Sequence, residues 1–178
     1  MHWGPQAAFA NLERALALLQ RNALPEGRYR VQVIANYLRE LDQLLNLLID
    51  EVAIAADPIR FARATLSRQR NTAAKLDNLR RLLQIPNPDD RRLRAIGRSR
   101  DCLFHCKGIV RRPDQRGGDS MTAGWPDEHF ALRTFALGGP LGLAKRDLDD
   151  VCRFYGEIAR SLITDRISTS AAPFSTLP

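Results

Sequence analysis

Leucine, isoleucine, valine and alanine recur three and four residues apart along most of this chain, the spacing that collects side chains on one face of an α-helix. Phe9, Leu12, Leu16 and Leu19 predict a first helix from about Pro5 to Asn22, broken by Leu24-Pro25-Glu26-Gly27. A second, with the cleanest period, carries Val31, Ile34, Leu38, Leu41, Leu45, Leu48 and Val52. Leu44 and Leu47 widen its stripe, as expected for a helix at the centre of a bundle and not for a narrow coiled-coil seam. Asp57-Pro58 reads as an N-cap followed by a proline at the first helical position, opening a third helix whose buried side is Ile59, Ala62, Leu66, Ala73, Leu76, Leu79 and Leu83.

Asn87-Pro88-Asp89-Asp90 repeats that start signal for a fourth helix, expected to continue to about Arg112 because Pro113 cannot extend it. From Pro113 to Lys145 the helical period is lost among Gly117-Gly118, Trp125-Pro126 and Gly138-Gly139-Pro140. His129–Leu137 and Leu141–Ala144 can pair across those glycines as a short hairpin. A last helix from about Arg146 places Leu148, Val151, Tyr155, Ile158 and Leu162 on one face, with Asp147, Asp149 and Asp150 near its positive end. The expected class is therefore all-α: a five-helix bundle with one long irregular loop before the last helix.

Composition agrees. Hydrophobic residues at 44% and charged residues at 26% suit a folded chain, and 178 residues suit one domain, expected over 1–167 with a flexible tail at 168–178. The N-terminus has no basic start followed by an apolar run and a small-residue cleavage site. The longest apolar stretch, Leu44 to Ala56, is interrupted by Asp50 and Glu51 and is too short to span a bilayer. Three cysteines make no disulfide framework. A cytoplasmic protein without a membrane partner is expected.

Charge narrows the search. Between Arg91 and Arg116 lie nine cations (Arg91, Arg92, Arg94, Arg98, Arg100, Lys107, Arg111, Arg112 and Arg116) against Asp101 and Asp114, an excess equal to the net charge of +7 carried by the whole chain. The basicity belongs to one element, and it points to an anionic partner. Leu93, Ile96, Leu103 and Phe104 form the apolar stripe of that helix. Arg100 falls within it, where an unpaired guanidinium would be costly, so it must meet an anion, a partner chain or a wet cleft. The neighbouring stripe reads Arg94, Arg98, Asp101, His105, Gly108, Arg112. There Asp101 stands one turn before His105 and is expected to accept a ring N–H, while Gly108 leaves room beside the ring. Arg94, Arg98, Lys107, Arg111 and Arg112 are the candidates for phosphate contacts. A solvated basic face with an incidental histidine accounts for the same spacing.

The run Arg100-Asp101-Cys102-Leu103-Phe104-His105 resembles the R-x4-6-H motif of HEPN domains (higher eukaryotes and prokaryotes nucleotide-binding), in which the arginine is commonly followed by a polar residue such as aspartate. The order of helices before and after the motif is similar too, although the long loop is more elaborate than in minimal members. The resemblance implies a metal-independent endoribonuclease without cofactors, usually a homodimer, with two motif helices facing across a cleft. Arg100 would stabilise the scissile phosphate, His105 would act as general acid or base, and Asp101 would support the site. It further implies a toxin–antitoxin or defence role with a nucleotidyltransferase-like antitoxin as partner. Residues five apart on a helix differ by about 140° in direction and about 7.5 Å along the axis, so a two-fold dimer would assemble what one helix does not. The alternative is a non-catalytic helical module that binds a nucleotide or a protein.

Other chemistry is sparser. Cys102, His105 and Cys106 invite a zinc reading, with Cys152 a distant fourth ligand, but cysteines spaced this way on a helix are usually small core residues. Trp125 and Phe130 could stack on a base, though packing of the loop onto the bundle explains them more simply. Arg60, Arg63, Arg68 and Arg70 could extend a phosphate track.

Overall fold

In the computed structural model the apolar periods become helices α1 (Pro5–Arg21), α2 (Arg30–Ala56), α3 (Thr72–Leu83), α4 (Asp90–His105) and α5 (Lys145–Ser170), with strands β1 (Ser120–Pro126) and β2 (Leu132–Ala136) between α4 and α5. The structure describes residues 3–24, 26–27, 29–58 and 71–170. Among these, no helix is long and apolar enough to cross a membrane. The protein is mostly helical with a small antiparallel sheet, and so departs from the all-α class expected.

α2 lies at the centre. Leu38, Leu41, Leu45, Leu48, Ile49 and Val52 are fully buried along it, and α1, α3, α4 and α5 all pack against it. The wide leucine stripe has this purpose: one helix supplies buried surface to four neighbours. Buried polar groups fasten the ends. The Glu51 carboxylate of α2 accepts the Trp3 and Gly4 N–H groups at 3.1 and 3.0 Å, placing a negative charge at the start of α1. Arg80 of α3 donates to Asn87 (2.8 Å) and Asp89 (2.6 Å) in the turn before α4 and to Ser161 (3.2 Å) of α5. At the start of α5, Asp147 reaches back to accept the Ala144 N–H at 2.7 Å, half of a capping box.

Four expectations are corrected. The single helix from Pro58 to Leu83 does not form as one run. Asp57 has extended backbone and ends α2 as its C-cap, its N–H bonded to the Ala53 carbonyl. Asn71, also extended, starts α3 by accepting the Ala74 N–H at 3.0 Å, using the short side chain that makes asparagine a helix starter and a poor helix interior. Ile59, Ala62 and Leu66 lie outside the described residues, as do Arg60, Arg63, Arg68 and Arg70. Second, α4 begins at Asp90 behind Asp89, because Asn87 is engaged by Arg80 and is not a cap.

Third, α4 stops at His105 and does not reach Arg112. Lys107 and Gly108 both adopt positive φ (53° and 76°), and the Gly108 N–H turns back to the Cys102 carbonyl at 3.2 Å. A Cβ on Gly108 would meet Val31 and Leu103 side chains at 3.4–3.6 Å. This glycine therefore reverses the chain against the core and opens no room beside His105. The chain then runs extended beside residues 138–141, with Leu141 N–H bonded to Gly108 O and Val110 N–H to Gly139 O, and Val110 fully buried.

Fourth, the hairpin uses a different strand. β2 pairs with the upstream segment β1 (Ser120↔Ala136, Met121↔Phe135, Thr122↔Thr134, Pro126↔Leu132), with a bulge between Thr122 and Pro126. Leu141 and Leu143, expected in the hairpin, are buried in the core instead. At the bulge Ala123, Gly124 and Trp125 are buried consecutively, which hides the alternation that would mark a strand.

β1 covers the face of α4 that carries Arg92, Ile96 and Ser99, beside the one turned to α2. Ser99 is fully buried there, donating to Ala95 O and accepting the Gly124 N–H at 3.2 Å, while Arg92 donates to Gly124 O at 3.1 Å. A Cβ on Gly124 would lie 2.1 Å from the Ile96 side chain and 2.7 Å from its backbone. Gly124→Ala must push strand and helix apart, and we expect it to cost about 2 kcal/mol or more, read as a lower urea midpoint. A midpoint equal to that of the wild type would contradict this packing.

Candidate functional site

Asp42 sits on the buried side of α2, where its leucine neighbours make water scarce; it is 4% exposed. Three other helices send it donors. Arg100 of α4 forms an ion pair with one carboxylate oxygen, Tyr155 O–H of α5 donates to the other at 2.5 Å, and the Thr72 hydroxyl at the start of α3 also bonds to it. Asn46 of α2 donates to Thr72 Oγ1 at 2.9 Å, which orients that hydroxyl. Burial raises the pKa of Asp42, against the opposing pull of Arg100, Tyr155 and Thr72. Burial also pushes Tyr155 well up, reinforced by the Asp42 charge, so its phenol remains a donor. For Arg100 burial works against the charge, but Asp42 and Asp101 outweigh it and raise its pKa.

The anion expected for Arg100 is thus internal. Asp101 completes the clasp, accepting Arg100 Nε at 3.0 Å and Nη2 at 2.8 Å. This corrects the role foreseen for Asp101: its carboxylate turns to the arginine beside it, and among the described residues no hydrogen bond joins it to His105. Even so the guanidinium is only partly enclosed, its side chain 26% exposed. It forms the floor of an open cleft of about 450 Å³ between α2 and α4, walled by Arg39, Asp42, Gln43 and Asn46 on one side and Asp101, Phe104 and His105 on the other. Arg100 and His105 therefore face the same space within one chain. His105 is exposed at the rim, its ring T-shaped against Phe104 with centroids 5.0 Å apart. The opposite wall places the Arg39 guanidinium 5.7 Å from the centroid of the same Phe104 ring.

Sequence reading missed Asp42, Tyr155 and Arg39. A polar residue in the otherwise apolar stripe of α2 was the available signal for Asp42, and Tyr155 was visible only as a core position. Arg39 looked like any exposed arginine.

The phosphate candidates divide. Arg94 is paired with Asp90 (2.8 Å), which raises its pKa, and Arg98 with Asp114 (2.8 Å). Both line a smaller hollow of about 160 Å³ beside the N-terminus of α3, bordered also by Arg100. Arg92 is spent on Asp150 and on the Phe154 ring. Lys107, Arg111 and Arg112 leave the helix altogether, as does Arg116, and all four are exposed without an ion-pair partner among the described residues. Among the nine cations, Arg91 at the start of α4 is also exposed without an ion-pair partner among the described residues, so the uncommitted charge is four residues after α4 in the chain and one at its beginning.

The cysteines are occupied by packing. Burial pushes Cys102 up to about 11 and Cys152 up to about 12, so both are held as thiols, and among the described residues no cluster of His, Cys, Asp or Glu has the arrangement of a metal site. Trp125 is fully buried with its N–H on Gly142 O at 3.1 Å, and so is a core residue and not a stacking platform. Phe130, at the hairpin tip with His129, is 90% exposed. No protein-family model, curated protein or solved structure matches the chain.

Because the pKa of Asp42 is raised by folding, its favourable contribution is complete below the ordinary aspartate range and is lost as pH rises through the folded value. The stability of the wild type relative to Asp42→Asn should therefore decline from acid toward neutral pH. Arg100→Met leaves the carboxylate without its cation and should steepen that decline, costing about 3 kcal/mol near neutral pH. Urea titrations at stepped pH measure both. A wild-type advantage over Asp42→Asn that grows with pH would contradict the assignment.

Proposed function

We propose that this chain is an RNA-binding protein of HEPN type that cleaves RNA without a metal ion, with its site completed by a second copy across the cleft. One observation carries the reading: Arg100 and His105, the ends of the R-x4-6-H run, line the same open cleft, and Lys107, Arg111 and Arg112, exposed and without an ion-pair partner among the described residues, follow His105 in the chain. Anionic polymer held by those cations would pass the mouth of the cleft.

The chemistry needs few groups. The 2′-hydroxyl oxygen attacks the adjacent phosphorus as an imidazole accepts its proton. The bond to the 5′-oxygen breaks, and that oxygen takes a proton from a second acid, leaving a 2′,3′-cyclic phosphate and a 5′-hydroxyl. His105 serves as one of these proton carriers, and His105 of a second copy serves as the other. Of the five N–H donors on Arg100, three contacts go to Asp42 and Asp101, which leaves donors for the charge that develops on the phosphorane oxygens. In a toxin–antitoxin or defence setting, a nucleotidyltransferase-like antitoxin would be the partner.

The neutralisation of Arg100 by two carboxylates favours a second reading, a non-catalytic module whose cleft binds a nucleotide or an acidic protein. Incubation of structured RNA with the protein in chelator separates the two. Cleavage to cyclic-phosphate ends, slowed about a hundredfold or more in His105→Ala with its melting curve unchanged, is the expected result. Cleavage that persists in that variant or requires added magnesium would overturn the enzyme reading, and binding without cleavage would favour the module.

A further inference from the structure

Within this cleft the cations are not equivalent. The Arg100 guanidinium touches two carboxylates, so an incoming phosphate must approach past Asp42 and Asp101, both of which repel it. Arg39 stands on the facing wall, exposed, and makes no ion pair or hydrogen bond among the described residues. What holds it is the face of Phe104. Contact with a ring consumes none of its five N–H donors, and Arg39 lines the cleft, so those donors are open to a ligand that enters it. A guanidinium in that state matches the paired oxygens of a phosphodiester better than an ammonium would.

Phe104 also contacts His105, so a single ring orders both the free cation and the imidazole: Arg39 on its face from α2, and His105 in T-shaped contact from the next position of α4. We infer that Arg39 is the residue through which the cleft grips a phosphodiester, delivering it beside His105. This rests on the RNA reading given above. Ground-state binding would then fall to Arg39 and the exposed cations beyond α4, with Arg100 reserved for charge that appears only during reaction.

The test is equilibrium binding of a fluorescein-labelled 2′-O-methyl oligoribonucleotide of mixed sequence, which cannot be cleaved by its own hydroxyl, across a series of salt concentrations. Arg39→Ala should weaken binding about tenfold, the worth of one charge-assisted contact, and lower the slope of log K against log salt by about 0.7. Arg39→Lys, which keeps the charge and loses the paired donors, should keep the slope and lose part of the affinity. Both variants should melt as the wild type does. If Arg39→Ala binds like the wild type while Arg111→Ala weakens binding, the assignment of Arg39 is overturned and the RNA reading stands. If the wild type shows no binding at the lowest salt, both are overturned.

Discussion

One buried carboxylate organises the helices of this protein. Asp42 lies where the α2 stripe would otherwise carry another leucine, and it is met by α3, α4 and α5 through Thr72, Arg100 and Tyr155. A buried ion pair is a poor source of net stability, because desolvation consumes most of what Coulomb attraction returns. Its effect is orientational. An unpaired carboxylate in that position would be far costlier than a paired one, so packings of α4 that turn Arg100 away from α2 are disfavoured by several kcal/mol. Apolar side chains alone set no such requirement, since leucine stripes can slide by a turn with little loss.

The cleft follows from that constraint. With Arg100 fixed toward Asp42, the residues one turn later on α4 have no freedom: Phe104 must lie against α2 near Arg39, and His105 must lie at the rim. β1 holds the neighbouring face of α4. Gly124 lets β1 approach within contact of the Ile96 backbone, and the Ser99 hydroxyl satisfies the Gly124 amide inside the dry interface. α4 is thus held by both α2 and β1, and at its C-terminal end the turn at Lys107-Gly108 leaves the basic residues Lys107, Arg111, Arg112 and Arg116 exposed.

Much of this was legible in the sequence. The periods of α1, α2 and α5 located those helices to within a few residues, and the misplaced arginine in the α4 stripe announced an internal or external anion. What the sequence concealed has physical reasons. Pro58 is helical behind Asp57 as its sequence suggested, but Asn71 carries the same capping chemistry and starts a helix of its own inside what read as one apolar period. Pro113 marked a stop that Lys107 and Gly108 had already made, since a positive-φ turn needs no proline. β1 was invisible because its bulge buries three residues in succession and because Gly124 contributes no side chain to any pattern. The site was half legible: Arg100, Asp101 and His105 share the cleft as one motif, but their partners Asp42, Tyr155 and Arg39 come from helices distant in sequence, and Asp101 serves the arginine and not the imidazole.

In the cleft Arg100 is committed to Asp42 and Asp101, while Arg39 shares the Phe104 ring with His105. NMR of the arginine Nε–H and histidine ring resonances during titration with a 2′-O-methyl oligoribonucleotide tests it most directly. Arg39 and His105 signals are expected to move together with added oligonucleotide, while the Arg100 Nε–H signal, held by Asp101, stays in place. Movement of Arg100 with Arg39 unchanged, or shifts confined to the hairpin tip around Phe130, would contradict it.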